Sequence, residues 1–285
     1  MLDLAPLIQN KSAPSQCIPT NIEPHVPQIK GIRAVIFDIY GTLFTSEAGE
    51  LNTNSPNQKN EYILESLQEV LQDITPVQHT SLSCEFITTI QTTHAEAIKN
   101  GIPYPEVNIQ DIWQHILSPH YPEITPEQIA TIAVLYETLT NPVWPMPGTL
   151  EVLEDLRSSN FTLGIVSNAQ FYTPLLFEAF LGKPLSSLGF RSEYCIYSYL
   201  EKRAKPDKQL FLKLLQRLSH QGISPHETLY VGNDMKNDVA PAREAGMHTV
   251  LFAGDQRSLR TRPEMNLAAP SAMISHLSQI KEIVT

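Results

Sequence analysis

The arrangement of apolar and polar positions divides the chain into three patterns. Residues 33–44 begin with a short run of β-forming apolar residues and end in a polar turn, which predicts a buried strand followed by a loop. Between about residue 60 and residue 139 the apolar positions recur with helical spacing. From about residue 149 onward, short apolar runs alternate with helical patterns. The sequence therefore predicts an α/β protein with a doubly wound, mostly parallel sheet.

Four amphipathic helices are predicted in the middle of the chain, with no strand signal between them. The fourth begins with Thr125-Pro126-Glu127-Gln128, in which Thr at the cap, Pro at the first helical position and Gln three residues after the cap form a capping box. We expect the apolar faces to form the core of a helical bundle inserted as a second domain. In chain order these faces carry Ile63, Leu64, Leu67, Leu71 and Ile74; Leu82, Phe86, Ile87, Ile90 and Ile98; Ile109, Ile112, Trp113 and Ile116; and Ile129, Ile132, Ala133, Tyr136 and Leu139.

The segments on either side of the bundle have simpler patterns. Residues 1–30 carry five prolines among polar residues, a composition that disfavours helix and central strand and predicts an arm lying on the core. Pro142, Pro145 and Pro147 with Gly148 mark the return from the bundle. After them, strands are predicted at 161–166, 195–199, 228–232 and 248–252, and helices at 150–156, 174–181, 209–218, 237–245 and 272–283.

Composition and charge exclude several classes of protein. The chain has 285 residues and 42% hydrophobic content, enough for a substantial core. Its formal net charge is -10 and its basic residues form no long run, so neither a nucleic-acid nor an anionic-membrane surface is indicated. No run approaches the roughly 20 apolar residues of a membrane span, and the N-terminus lacks a signal-peptide pattern. Three widely separated cysteines fit neither a disulfide framework nor a zinc site, so we expect a soluble, cytoplasmic protein.

Asp38 follows the first predicted strand directly. Ligands of open α/β sheets bind at the carboxyl ends of the strands, so a carboxylate at this position is a candidate nucleophile. Gly41 would let the chain turn close to a ligand, and the Thr42 hydroxyl could bind an oxyanion. The structural alternative is an ordinary turn with a capping aspartate.

Three later segments place polar side chains near other strand ends or helix starts. Ser167 and Asn168 could donate hydrogen bonds to a phosphoryl oxygen, although Ser167 could simply cap a helix. Lys205 could neutralise a bound anion and Asp38, although a lone lysine is usually solvated surface. Asp234 and Asp238 are four residues apart, which would place both carboxylates at one edge of a loop entering a helix.

These four segments, in this order, resemble the motifs of the haloacid dehalogenase-like (HAD) hydrolase superfamily. The resemblance extends from about residue 31 to the C-terminus, with a long insert after the first motif. It implies a Rossmann-like core of residues 31–45 and 146–285, preceded by the arm of residues 1–30. It also implies that residues 46–145 form a helical cap, a lid that closes over Asp38 and selects the substrate.

The resemblance also implies a magnesium site. Asp38, Asp234 and Asp238 make an all-oxygen set suited to Mg²⁺, and the residue at position 40 contributes its backbone carbonyl in these families. We expect Asp234 to be the ligand and Asp238 to hold Lys205 or a water molecule. The alternatives are that Asp238 caps the following helix while Asp234 faces solvent, or that Asn233 occupies the ligand position, since the motif spacing leaves the register open.

Tyr40 departs from the superfamily phosphatases, which carry a second aspartate there as general acid and base. Loss of such a general acid and base typically lowers the reaction rate roughly 10²- to 10⁴-fold. In having tyrosine at this position the chain resembles the 2-haloacid dehalogenases. Those enzymes, however, use an arginine just after the first motif to receive halide, and residues 39–156 of this chain contain no arginine. Phe211 also stands where those enzymes tend to have tyrosine.

The function predicted from these features is a Mg²⁺-dependent, phosphatase-type hydrolase that acts through an aspartyl intermediate on a small phosphorylated metabolite. The alternative is a binding or regulatory module that keeps the fold but turns over weakly, which the missing aspartate favours. A 2-haloacid dehalogenase is the less favoured third hypothesis.

Overall fold

A parallel sheet lies at the centre of the molecule. The computed structural model describes residues 3–46, 56–71 and 82–284, and in this part of the chain the sheet has six strands in the order β3-β2-β1-β4-β5-β6. The strands are β1 Ala34–Phe37, β2 Thr162–Ser167, β3 Phe190–Tyr197, β4 Thr228–Gly232, β5 His248–Phe252 and β6 Ala272–Ile274. Because β1 pairs with both β2 and β4, its carboxyl end lies where the strand order reverses. The predicted α/β fold is confirmed, and every strand pair is parallel.

Helices cover both faces of this sheet. Side chains of β1 alternate between two apolar clusters. Ile36 lies on the face covered by the helix Gln209–Ser219, and Phe37 lies on the face covered by the helices Thr149–Ser158 and Leu175–Leu181. The helices are α1 Leu4–Lys11, α2 Pro56–Val70, α3 Leu82–Lys99, α4 Ile109–Leu117, α5 Pro126–Thr140, α6 Thr149–Ser158, α7 Leu175–Leu181, α8 Ser198–Glu201, α9 Gln209–Ser219, α10 Ala240–Glu244 and α11 Ile280–Ile283. A π-helical turn spans Met235–Val239, and 3₁₀ turns span Leu185–Leu188, Pro225–Glu227, Pro263–Met265 and Leu277–Gln279. None of the helices in the described ranges is long and apolar enough to cross a membrane.

The helices α2 to α5 pack around an apolar cluster of their own. The fully buried Trp113 contacts Phe86 and Tyr136, with ring centroids 4.8 and 5.3 Å away. The predicted capping box of α5 is present in both directions. The four predicted helices are confirmed, but Ile98 is 55% exposed, so the apolar stripe of α3 stops before its end. Ile74 lies outside the described residues.

The N-terminal segment contains a helix that the sequence analysis did not predict. In α1, Pro6 lies in the first turn, where a backbone N–H has no intrahelical acceptor, so proline is tolerated there. Ala5 and Ile8 are buried where α1 contacts α5 and α7. Tertiary packing therefore overrides the composition. After α1 the segment runs along the core, and Ile29 N–H donates to the Ile283 carbonyl at 2.7 Å.

The boundaries of three other elements differ from the predictions. Residues 272–283, predicted as one helix, form β6 and two short helical turns, because Ala272 pairs with Val250 and extends the sheet. The helix predicted at 237–245 begins earlier, as the π-helical turn after Asp234, and continues as α10. The third strand begins at Phe190 and ends at Tyr197, where α8 begins.

Candidate active site

Asp38 lies at the carboxyl end of β1 and is 5% exposed. Its Oδ1 accepts hydrogen bonds from Ser167 Oγ at 2.8 Å and from Lys205 Nζ at 2.7 Å. Ser167 ends the neighbouring strand β2, so the two side chains meet at the same sheet edge, as predicted. The second oxygen, Oδ2, has no hydrogen-bond partner among the residues that the structure describes, and Asp38 lines a pocket of about 180 Å³.

The loop after Asp38 turns tightly at Gly41, which has a φ of 80°. A Cβ at this position would lie 2.6 Å from Asn233 Nδ2, so glycine is required by both conformation and space. Thr42 Oγ1 donates to Asn233 Oδ1 at 3.1 Å. The Thr42 hydroxyl was predicted to bind an oxyanion, but here its proton is used to join the β1 loop to the β4 loop.

Lys205 is 6% exposed, so the hypothesis of a solvated surface lysine is wrong. Its Nζ lies 2.7 Å from Asp38 Oδ1 and 2.5 Å from Asp238 Oδ1. Burial disfavours the charged form of Lys205, but the two carboxylates outweigh it and raise its pKa above the ordinary value. The ammonium group is therefore a fixed positive charge beside the candidate nucleophile.

Asn168 holds the backbone of Lys205 in place. Its Oδ1 accepts from Lys205 N–H at 2.7 Å, and its Nδ2 lies 3.5 Å from the Lys205 carbonyl. The residue lines the same pocket as Asp38. Its amide, which was predicted to donate to substrate, is thus directed at the chain that carries Lys205.

Asp238 is almost fully buried, and polar groups lie against both of its oxygens. Oδ1 accepts from Lys205 Nζ and lies 3.0 Å from the Tyr230 hydroxyl. Oδ2 accepts from the N–H groups of Asn233 and Asp234, both at 3.0 Å. Burial raises the pKa of Asp238, and Lys205 opposes this shift. Lys205 and two backbone N–H groups donate to this carboxylate, and the single proton of the Tyr230 hydroxyl can go to it or to the Val166 carbonyl. The geometry of Asp238 therefore fits positioning of Lys205 rather than metal ligation.

Asp234 precedes the π-helical turn and caps it. Its Oδ1 accepts from the N–H groups of Lys236 and Asn237 at 2.8 and 3.3 Å. Its Oδ2 accepts from Asn237 Nδ2 and from Arg262 Nη2, both at 2.9 Å. At 6% exposure it does not face solvent, which rules out that alternative. The expected magnesium ligand is instead the partner of an arginine.

Tyr40 places its hydroxyl against Thr173. The hydroxyl oxygen lies 3.0 Å from Thr173 Oγ1, and burial together with the nearby Glu137 raises the pKa of the phenol. Glu137 accepts from Asn141 Nδ2 at 2.9 Å and from Tyr172, and burial raises its own pKa. Tyr40 is therefore a neutral phenol at ordinary pH, and its hydroxyl is bonded to Thr173 rather than to Asp38.

This arrangement of acid, hydroxyl, lysine and acid at one sheet edge agrees with the family comparison. The haloacid dehalogenase-like hydrolase family matches residues 32–246 of the chain. The chain belongs to this family.

Two curated relatives carry different names. Over 149 residues the chain is 28% identical to glyceraldehyde 3-phosphate phosphatase of Methanothermobacter thermautotrophicus, which covers 49% of this chain. Over 160 residues it is 26% identical to the Rhythmically expressed gene 2 protein of Drosophila melanogaster, covering 52% of this chain. The chain spans 58% of the length of each of these relatives.

Solved structures of similar fold include enzymes of two activities. A 2-haloacid dehalogenase from Pseudomonas syringae aligns with a TM-score of 0.53 and 19% identity, over 88% of this chain and 97% of that one. A HAD phosphatase from Thermococcus onnurineus aligns with a TM-score of 0.51 and 20% identity, over the same shares of the two chains. At these identities the likeness shows the fold.

The acidic residues of this HAD-like hydrolase do not fit the predicted magnesium site. Within the described ranges, no group of three or more His, Cys, Asp or Glu residues is placed to hold a metal ion. Asp234 and Asp238 are engaged by Arg262 and Lys205. The side chain that contacts the loop after Asp38 is Asn233, whose neutral amide is a weaker ligand than a carboxylate for Mg²⁺.

Three residues of the site were not predicted from the sequence. Tyr230 places its hydroxyl 2.8 Å from the Val166 carbonyl and 3.3 Å from Lys205 Nζ, which makes it part of the buried network. Arg260 lines the pocket, and Arg262 pairs with Asp234. The two arginines lie in an irregular loop after β5, where no periodicity marks the direction of a side chain, whereas Tyr230 lies in a predicted strand without a motif of its own.

Proposed function

We propose that this chain is a hydrolase in which Asp38 accepts a phosphoryl group from a small phosphorylated molecule. The observation that carries this proposal is the state of the Asp38 carboxylate: Oδ1 is held by Ser167 and Lys205, no residue that the structure describes donates to Oδ2, and Asp38 lines the pocket. A relative named as a phosphatase supports the same chemistry.

The reaction would proceed in two steps. Asp38 Oδ2 attacks phosphorus, the bond between phosphorus and the leaving oxygen breaks, and that oxygen departs with the electron pair. Water then attacks the same phosphorus, the bond to Asp38 breaks, and the water proton leaves with the phosphate or with solvent. Lys205 and Ser167 stabilise the carboxylate both before attack and when it is released, because they contact its Oδ1.

The substrate class follows from Tyr40. Its hydroxyl lies against Thr173, and the raised pKa makes it a poor proton donor to a leaving alkoxide. Leaving groups that need no proton are the phenolate of an aryl phosphate and the carboxylate or phosphate of an anhydride. We therefore propose that the enzyme acts on such activated phosphates much faster than on alkyl esters.

The helices α2 to α5 are proposed to form the cap, residues 46–145, that encloses the rest of the substrate. A cavity of about 340 Å³ lies between these helices and the loop after β2, a volume within the range of small-molecule sites. Its wall includes Phe86 and Ile90 of α3, Glu137 of α5, and Gln170 and Tyr172 of the loop. The apolar side chains in this wall favour a leaving group that is at least partly apolar.

A second candidate is a binding module with little turnover. It is favoured by the lack of a carboxylate at position 40 and by the tight pairing of Lys205 with two acids. Such a module would bind phosphorylated molecules without transferring the phosphoryl group.

A panel of phosphate esters with leaving groups of graded pKa decides between the two candidates. The assay compares the parent with Asp38→Asn, in the presence of Mg²⁺ and of a chelator. Rates that rise steeply as the leaving-group pKa falls, and that vanish in Asp38→Asn, support the hydrolase. Zero turnover on every ester, with phosphate binding intact, supports the binding module.

A further inference from the structure

We propose that Arg260 supplies the positive charge that holds a phosphoryl group over Asp38, and that the pocket works without a divalent cation. This inference rests on the proposed function and specifies how the pocket of Asp38 recognises its ligand. It follows from the charges, the contacts and the size of that pocket.

The charges around the pocket are balanced by the protein itself. Three carboxylates line it, those of Asp38, Asp234 and Asp238. Lys205 and Arg260 line it as well, and Arg262 lies against Asp234 at 2.9 Å. With Arg262 counted beside Asp234, three cations of the described residues match the three carboxylates of the pocket. A site that recruits a divalent cation needs carboxylates that the protein leaves uncompensated, and here Asp234 and Asp238 are compensated.

Arg260 is fixed at the rim by its own backbone. Its N–H donates to the Asn233 carbonyl at 2.9 Å, and its carbonyl accepts from Met235 N–H at 2.9 Å, on either side of Asp234. Its guanidinium donates from Nη1 to the carbonyls of Arg257 and Leu259, which orients the group. Guanidinium binds phosphate through two parallel N–H donors, a geometry that matches an oxyanion. The Arg260 side chain is therefore suited to hold a phosphoryl group.

The size of the pocket is consistent with this role. Its volume of about 180 Å³ leaves room for a phosphoryl group beside Asp38. A phosphoryl group bound in this pocket would lie close to Lys205 and Arg260, which both line it. The Asn233 amide, held by Thr42 and by the Ser258 carbonyl at 2.6 Å, adds a neutral wall at the position where a metal would need an acid.

Calorimetric titration of inorganic phosphate, in buffer containing a chelator, tests the proposal directly. The parent should bind phosphate, and saturating Mg²⁺ in place of the chelator should change its affinity by less than about twofold. Arg260→Gln should weaken binding roughly tenfold or more, the usual effect of removing a charged hydrogen-bond donor. The matched control is Arg191→Gln, since Arg191 is exposed and pairs with Glu193 away from the pocket.

Two further variants keep the test decisive. Arg260→Lys retains the charge without the fork of donors and should lose less affinity than Arg260→Gln, which protects against a folding defect in the latter. Asn233→Asp adds the missing acid, and Mg²⁺ binding should appear in this variant at concentrations where the parent shows none. Strong Mg²⁺ binding by the parent, phosphate binding that requires Mg²⁺, or unchanged affinity in both Arg260 variants would overturn the proposal. Phosphate binding without any turnover would count against the proposed hydrolase but leave this inference standing.

Discussion

Replacing Tyr40 by aspartate tests how the chemistry of the site depends on a general acid. The substitution places a carboxylate two residues after Asp38, where the missing acid and base would act. Gains should be largest for alkyl phosphates, whose alkoxide needs a proton, and could approach about 10²-fold, the lower end of general acid catalysis. Aryl phosphates should gain little, because a phenolate leaves without a proton.

The structure sets the accompanying cost in stability. Tyr40 is partly buried and contacts the main apolar cluster, so loss of the ring should lower the free energy of unfolding by about 2–4 kcal/mol, near the lower end of aromatic truncations. Tyr40→Phe is the matched control. It keeps the ring and removes the hydrogen bond to Thr173, which contributes about 1 kcal/mol.

Two assays separate these effects. Initial rates on an alkyl and an aryl phosphate measure the catalytic change, and urea unfolding measures stability. Tyr40→Phe should retain parental rates on both esters, because the hydroxyl is directed at Thr173. A fall in both rates in Tyr40→Phe, or in Tyr40→Asp beyond what unfolding explains, would mean that the phenol itself takes part and would refute this account of position 40.

Three further predictions concern the buried side chains of Lys205 and Glu137 and the dehalogenase hypothesis. Lys205→Met should lower the free energy of unfolding by roughly 3–5 kcal/mol, because it leaves Asp238 buried without its cation. Urea unfolding measures this change. The control Lys208→Met, at an exposed position, should change the free energy of unfolding little. Burial raises the pKa of Glu137, so the folded protein binds a proton more tightly there than the unfolded chain does. The parent should therefore lose stability relative to Glu137→Gln as pH rises above the ordinary glutamate pKa of about 4.3, by at most about 1.4 kcal/mol per pH unit. Free energies of unfolding that change with pH in the same way in both proteins would contradict this. Incubation with 2-chloropropionate should release no chloride, and release that is lost in Asp38→Asn would favour the dehalogenase hypothesis.

The placement of Asp38 and Ser167 was predictable because it follows from topology. Asp38 and Ser167 end neighbouring parallel strands, and the carboxyl ends of such strands meet at one edge. The choice between Asn233 and Asp234 was not predictable from spacing. Successive residues at a strand end point in different directions, and only the contact of Asn233 with Thr42 shows which one faces the nucleophile loop.

The elements missed in the sequence have tertiary causes. The first helix, α1, forms despite Pro6 because α5 and α7 bury one of its sides. The three-residue strand β6 is too short to show a period of two, and its pairing with β5 decides its conformation. Arg260 and Arg262 reach the site from a loop, where direction depends on the neighbouring elements.

Trapping the covalent intermediate tests the central claim that Asp38 is the nucleophile. The parent is mixed with an aryl phosphate, quenched in acid within the first turnover, digested and examined by mass spectrometry. We expect a phosphoryl group on the peptide that contains Asp38, and neither adduct nor turnover in Asp38→Asn, whose amide cannot form the acyl phosphate. Turnover in Asp38→Asn within about tenfold of the parent, or an adduct on another residue, would contradict the mechanism.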